Sequence, residues 1–228
     1  MHKQNVSTRD TNHKNRVRSN WLKNHESRLI AWLCERVPQF INSDMLTGLG
    51  LLGSIAVGGA FVLAQWNRYW LLMVIGGLAL NWLGDSLDGR LAYYRNRARK
   101  WYGFALDISA DWLSLTIITI GMAFYFTELR FVPFVFMAAY GARMLIAALS
   151  YKLTNHYRID SGLVGPTEAR LLMVVAVLLE IAVPGSILWL TTCATVGMLS
   201  INVLENYKLL MEADALDRAE KVRLQTYP

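Results

Sequence analysis

The chain has 228 residues, 54% of them hydrophobic and 8 of them Trp, with a formal net charge of +6. This fits one domain with long apolar runs, an integral membrane protein rather than a soluble one. The positive charge does not point to nucleic acid, because the basic residues gather in loops and termini between the apolar runs. Cys34 and Cys193 lie far apart, lack metal-ligand spacing and read as free thiols. The first 45 residues are polar and basic, and none reads as part of a cleavable signal peptide.

Residues 1–20 are basic and rich in Asn, the composition of a disordered tail. Residues 21–37 bring Leu22, Leu29, Leu33 and Val37 to one side, which predicts an amphipathic helix lying in the membrane interface. Pro38 ends it, and Asn42-Ser43-Asp44 can cap the next helix. Six spans follow in the stretch 45–205: Met45–Gln65, Tyr69–Leu91, Gly103–Phe126, Phe131–Leu153, Leu163–Val183 and Gly185–Glu205. The expected fold is therefore all-α, six transmembrane helices plus the interfacial helix. Residues 206–228 read as a charged cytosolic helix. Glycines in the first two spans, Gly48, Gly50, Gly53, Gly58, Gly59, Gly76 and Gly77, predict close helix packing.

Loop charge sets the orientation. The N-terminal segment carries eight Lys/Arg, the Arg90–Lys100 loop five and the C-terminal tail four, with a further basic loop at Lys152–Arg158. The turns on the opposite side are short. Both termini, and the Arg90–Lys100 loop with them, are expected in the cytoplasm, facing the inside of the inner membrane in a bacterial source.

One stretch, Gly84–Asp111, does not suit a packing role. Its aspartates Asp85, Asp88, Asp107 and Asp111 are spaced three and four apart, so each pair shares a helix face. Asn81, Asp85, Asp88, Gly89, Ala92 and Asn96 fall within roughly 80° of one helical arc. An antiparallel hairpin turning near Arg97–Arg99 sets Asp88 level with Asp107, and Asp85 level with Asp111. Four carboxylates at one depth of a membrane edge call for cations. Mg²⁺ or Mn²⁺ bound together with a substrate phosphate is the natural candidate. The bland alternative is a salt-bridge network with Arg90 and Arg95.

The same stretch resembles the signature of the CDP-alcohol phosphotransferase family, D-x2-D-G-x2-A-R, eight or nine residues, then G-x3-D-x3-D. Asp85, Asp88, Gly89, Ala92, Gly103, Asp107 and Asp111 occupy seven of its eight fixed positions, over 27 residues. Tyr93 stands where the pattern has arginine. Either Arg97, one turn on, substitutes for it, or the enzyme is slower or selects another substrate. The resemblance implies a membrane enzyme that moves a phosphoalcohol or phosphatidyl group from a CDP-alcohol to an acceptor hydroxyl, releasing CMP, in phospholipid biosynthesis. It implies Asp85, Asp88 and Asp107 as metal ligands and Asp111 as ligand, general base or both. It also implies that Asp85, Gly89, Ala92 and Gly103 admit the cytidine nucleotide, although on their own these small residues read as packing. A homodimer is implied by the resemblance alone.

Sequence logic also singles out Asp111 as a base, since it lies furthest from the loop along the inward turn. Arg143, Glu168 and Arg170 are ionisable residues within spans and suggest an acceptor pocket. For Thr167 and Arg170, capping and snorkelling are equally good readings. The string Gly165–Glu168 is similar to a segment of some members that use CDP-choline or CDP-ethanolamine. Glu180, late in its span, is expected to snorkel outward, and His156 to be solvated. Two rival functions are a cation-coupled transporter and a family member that has lost catalysis through Tyr93. Acid at one face rather than the midplane weighs against the first. Retention of all four aspartates weighs against the second.

Overall fold

Helices in lipid hide no apolar surface from water by pairing, so close contact between them must come from small residues and van der Waals packing. A computed structural model of the chain, describing residues 21–154 and 166–226, is built on that rule. Among the described residues it holds only helices: α1 (Trp21–Arg36), α2 (Ser43–Leu63), α3 (Leu72–Tyr94), α4 (Lys100–Tyr125), α5 (Val132–Thr154), α6 (Pro166–Ala182) and α7 (Ser186–Thr226). Five stretches are long and apolar enough to cross a membrane: α2, α4, α5, α7 and Arg68–Tyr94, which joins a 3₁₀ turn to α3. The fifth of the six expected spans is represented by α6, whose 17 described residues fall just short of that length. The N-terminal tail, His156, Gly165 and most of the Lys152–Arg158 loop lie outside the described residues.

The centre of the bundle is the contact of α2 with α3 and α4. A Cβ placed on Gly53 would meet Gly77 O at 2.6 Å, and one on Gly84 would meet Leu46 O at 2.5 Å. On the other side of α2, a Cβ on Gly121 would lie 2.6 Å from Gly58 Cα. No side chain fits these places without moving backbone. The packing expected of Gly53, Gly58 and Gly77 is therefore real, whereas Gly48, Gly59 and Gly76 have open space where a Cβ would be. Phe61, Val57, Leu71 and Val74 fill the core beyond the glycine contacts, each fully buried.

Asn42 caps α2, its side chain accepting from Met45 N at 2.9 Å. The α3–α4 turn falls where expected, between Tyr94 and Lys100, but Asn96 is part of it and not of the helix. Asn96, placed by periodicity on the polar face of α3, lies past its end in the left-handed region (φ 54°). The Asn96 and Arg97 amides donate back to Tyr93 O and Ala92 O, a Schellman ending in which Asn tolerates the positive φ. Arg95 then reaches across to the α1–α2 turn, donating to the carbonyls of Val37 (2.8 Å) and Pro38 (3.0 Å) and also to that of Ile41.

Two further expectations change. On α1 the covered face is Ile30 and Cys34, packed with Leu33 and Val37 against Leu87 and Leu91 of α3, while Leu29 is 46% exposed. The helix rolls because α3 offers its apolar end there. Glu180 does not snorkel: it is 3% exposed. Its carboxylate accepts from Tyr125 Oη (2.8 Å), Gly185 N (2.9 Å) and Ile187 N (2.8 Å). The N-terminus of α7 supplies amides with no helical partner, so the charge is satisfied without water. From there α7 runs unbroken for 41 residues, joining the expected last span and tail in one helix.

Candidate active site

α2, α4 and α6 begin, and α3 and α5 end, at one side of the bundle, and the polar residues gather there. On α2, Ser43, Thr47, Gly50 and Ser54 recur at helical spacing and face α3. The Ser43 hydroxyl donates to Asp88 O (2.9 Å), and Thr47 Oγ1 donates to Asp88 Oδ2 (2.6 Å). One turn deeper, the Asn81 amide donates to Gly50 O (3.1 Å) and Ser54 Oγ (3.0 Å). Sequence reading took Ser43 for part of a cap and otherwise singled out only the glycines of α2. The recurring hydroxyls at the same spacing were the signal for the rest.

Asp85, Asp107 and Asp111 converge: one carboxylate oxygen from each lies within 4.8 Å of the others. Asp85 comes from α3, the other two from α4. Asp88 stands apart from this trio. Both of its oxygens are engaged, Oδ2 by Thr47 and Oδ1 by the Gly89 amide. Hard cations such as Mg²⁺ and Mn²⁺ take carboxylate oxygens, so three of them converging fit one such ion.

Arg95, named in the alternative salt-bridge reading, supplies no counter-charge here. It is spent on backbone carbonyls, as described above. Arg170, from the start of α6, places Nη2 2.6 Å from Asp85 Oδ2 and donates from Nε to Asn81 Oδ1 at 2.8 Å. It does not snorkel. Nor does Thr167 cap its own helix; its hydroxyl donates to Glu26 of α1 (3.1 Å), which also accepts from Trp82 Nε1 (3.2 Å). Glu168 sits half-buried in the first turn of α6. Arg143, midway along α5, has a buried Nη1 without a hydrogen-bond partner among the described residues.

A cavity of about 700 Å³ opens beside the trio. Asp85, Asp88 and Asp107 line it; Asp111 does not. Gly89, Ala92 and Gly103 form part of its wall, and a Cβ on Gly89 or Gly103 would meet nothing within 4 Å. Among the described residues, these two glycines therefore have no packing partner at the missing side chain. Tyr93, 68% exposed, shares the wall with Arg97 and Arg99, the latter paired with Asp44 across the mouth (2.7 Å to Oδ2).

Membrane-length helices that hold a carboxylate trio beside an open cavity define a multi-pass membrane protein with an acidic cluster at one end of its bundle. The chain belongs to the CDP-alcohol phosphatidyltransferase family, whose model matches residues 40–202, more than half its length. No curated protein and no solved structure matches it. Membership makes it a transferase of phospholipid synthesis, working in the membrane on a CDP-alcohol and an alcohol or lipid acceptor. The family is generally dependent on divalent metal.

Proposed function

We propose that the protein transfers a phosphoalcohol or phosphatidyl group from a CDP-alcohol to an acceptor hydroxyl and releases CMP. The convergence of Asp85, Asp107 and Asp111 beside the cavity carries this reading. A volume of about 700 Å³ lies in the range of small-molecule sites, roughly 300–1,000 Å³. The nucleotide half of the donor lies against Gly89, Ala92 and Gly103, where missing side chains leave room. Arg97, on the same wall as Tyr93, takes the place of the arginine in the family pattern.

Asp85, Asp107 and Asp111 would hold Mg²⁺ or Mn²⁺, with Asp88 beside them at the cavity wall. Such a cation, when bound, neutralises pyrophosphate charge and lowers the barrier to its cleavage. The acceptor oxygen forms a bond to the phosphorus bearing the alcohol. The bond from that phosphorus to the bridging oxygen breaks, and the bridging oxygen leaves with CMP. Asp111 takes the acceptor proton: it lies beyond the cavity wall, one turn deeper than Asp107, where an acceptor from the lipid side would arrive. Purified protein with Mn²⁺ and a panel of CDP-diacylglycerol, CDP-choline and CDP-ethanolamine, each with acceptors, is expected to release CMP with at least one donor. Mn²⁺-dependent binding of every donor without CMP release would support the catalytically lost reading.

The charge of the basic loops supports a cytoplasmic cavity mouth. In a variant lacking Cys34 and Cys193, a membrane-impermeant thiol reagent added outside should leave Arg97→Cys and Asn206→Cys unlabelled. External labelling of either would reverse the orientation.

A further inference from the structure

Resting on the metal-site reading above, we propose that Arg170 is the resident counter-cation of the carboxylate trio. It holds Asp85 while no divalent ion is bound, and it competes with that ion for Asp85. The guanidinium sits on one of the three carboxylates, at 2.6 Å, with only 15% of its side chain and 26% of that of Asp85 exposed. Solvent therefore screens the pair weakly, and a second positive charge entering the trio meets the first at short range. With Arg170 in place the three carboxylates carry a formal charge that one divalent ion cancels; without it they carry one negative charge more.

The position of the guanidinium is built rather than incidental. The NH₂ of Asn81 is taken by two oxygens, Gly50 O and Ser54 Oγ. The Ser54 hydroxyl itself donates to Gly50 O at 3.3 Å, so its oxygen is free to accept. The Asn81 carbonyl must then point the other way, where it accepts from Arg170 Nε. α6 is fixed in turn by Thr167 on Glu26, and Glu26 by Trp82. Arg170 is thus aimed at Asp85 from two sides, by contacts to α1, α2 and α3. A surface ion pair would need no such support. Lysine could keep the charge but not the two-pronged geometry, since only a guanidinium offers Nε and Nη2 in one plane.

The test is Mn²⁺ binding without substrate, followed by the electron paramagnetic resonance signal of free Mn²⁺ over detergent-purified full-length protein. Asp107→Asn should lose the binding seen in the wild type. Arg170→Gln is expected to bind Mn²⁺ at least about tenfold more tightly than wild type, because a repelling charge is gone. Arg170→Lys should stay within about threefold of wild type. If Arg170→Gln does not elute as a monodisperse protein, Arg170→Met, uncharged and of similar length, carries the same expectation. Unchanged or weaker Mn²⁺ binding in the neutral variant overturns the proposal and leaves Arg170 as a positioning residue for Asp85. Wild-type binding that Asp107→Asn does not touch would instead show that the trio is no metal site, and the proposal falls with that reading.

Discussion

Asp107→Asn is expected to abolish CMP release, a loss of at least about three orders of magnitude, in a protein that still elutes as a folded species. Asp107 is the one carboxylate of the trio that both lines the cavity and is free of Arg170. An amide oxygen offers a hard cation no charge, and its NH₂ presents the wrong polarity towards a phosphate. Asp85→Asn should be nearly as severe, and it would also remove the carboxylate that Arg170 holds. Asp88→Asn is a sharper comparison. Its two oxygens accept from Thr47 and from the Gly89 amide, so an Asn there leaves an NH₂ facing one of those donors. Turnover of all three, measured at saturating Mn²⁺, checks the assignment. Near-normal rates in two of them would remove the metal role from these aspartates.

Asp111→Asn should fail differently. The turnover rate is expected to drop by about two to four orders of magnitude, the range for losing a positioned base. Binding of the CDP-alcohol should change far less, because Asp111 lies outside the cavity wall that Asp85, Asp88 and Asp107 share. Calorimetric titration of the donor with metal present, run beside turnover, separates the two effects. A collapse of donor binding as complete as in Asp107→Asn would make Asp111 a metal ligand before a base and move the proton acceptor elsewhere.

The aspartates were legible because helical spacing fixes a face, and a hairpin fixes depth from the position of its turn alone. Spacing could not say which of Asp85 and Asp88 turns inward. The two are separated by about 60° around α3, enough for Thr47 of the neighbouring helix to claim Asp88. Arg170 was visible as a charge in a span, but its partner lies 85 positions away in sequence. Nothing local in the sequence joins residues so far apart. Asn96 went astray because periodicity runs on past the end of a helix, while the left-handed residue that stops it leaves no periodic trace. Glu180 was misread because hydropathy sees the cost of a buried charge and not the unpaired amides of the helix that opens beside it. The family itself was legible from one short signature, and the family match over residues 40–202 bears it out.

The unbroken α7 has a consequence of scale. At about 1.5 Å per residue its 41 residues reach roughly 60 Å, about twice the hydrocarbon thickness of a bilayer. Whatever its tilt, lipid cannot clothe it from end to end. Its first 24 residues are a wall of the bundle, with Asn202 donating to Ala139 O of α5 and Leu209 still 7% exposed. Its last turns, where Asp214 and Arg218 pair in full view of water, have to persist as a rod on hydrogen bonds and side-chain pairs of their own. The molecule is thus less a buried plug than a plug with a spar, and the far end of that spar is a place to attach things without touching the chemistry.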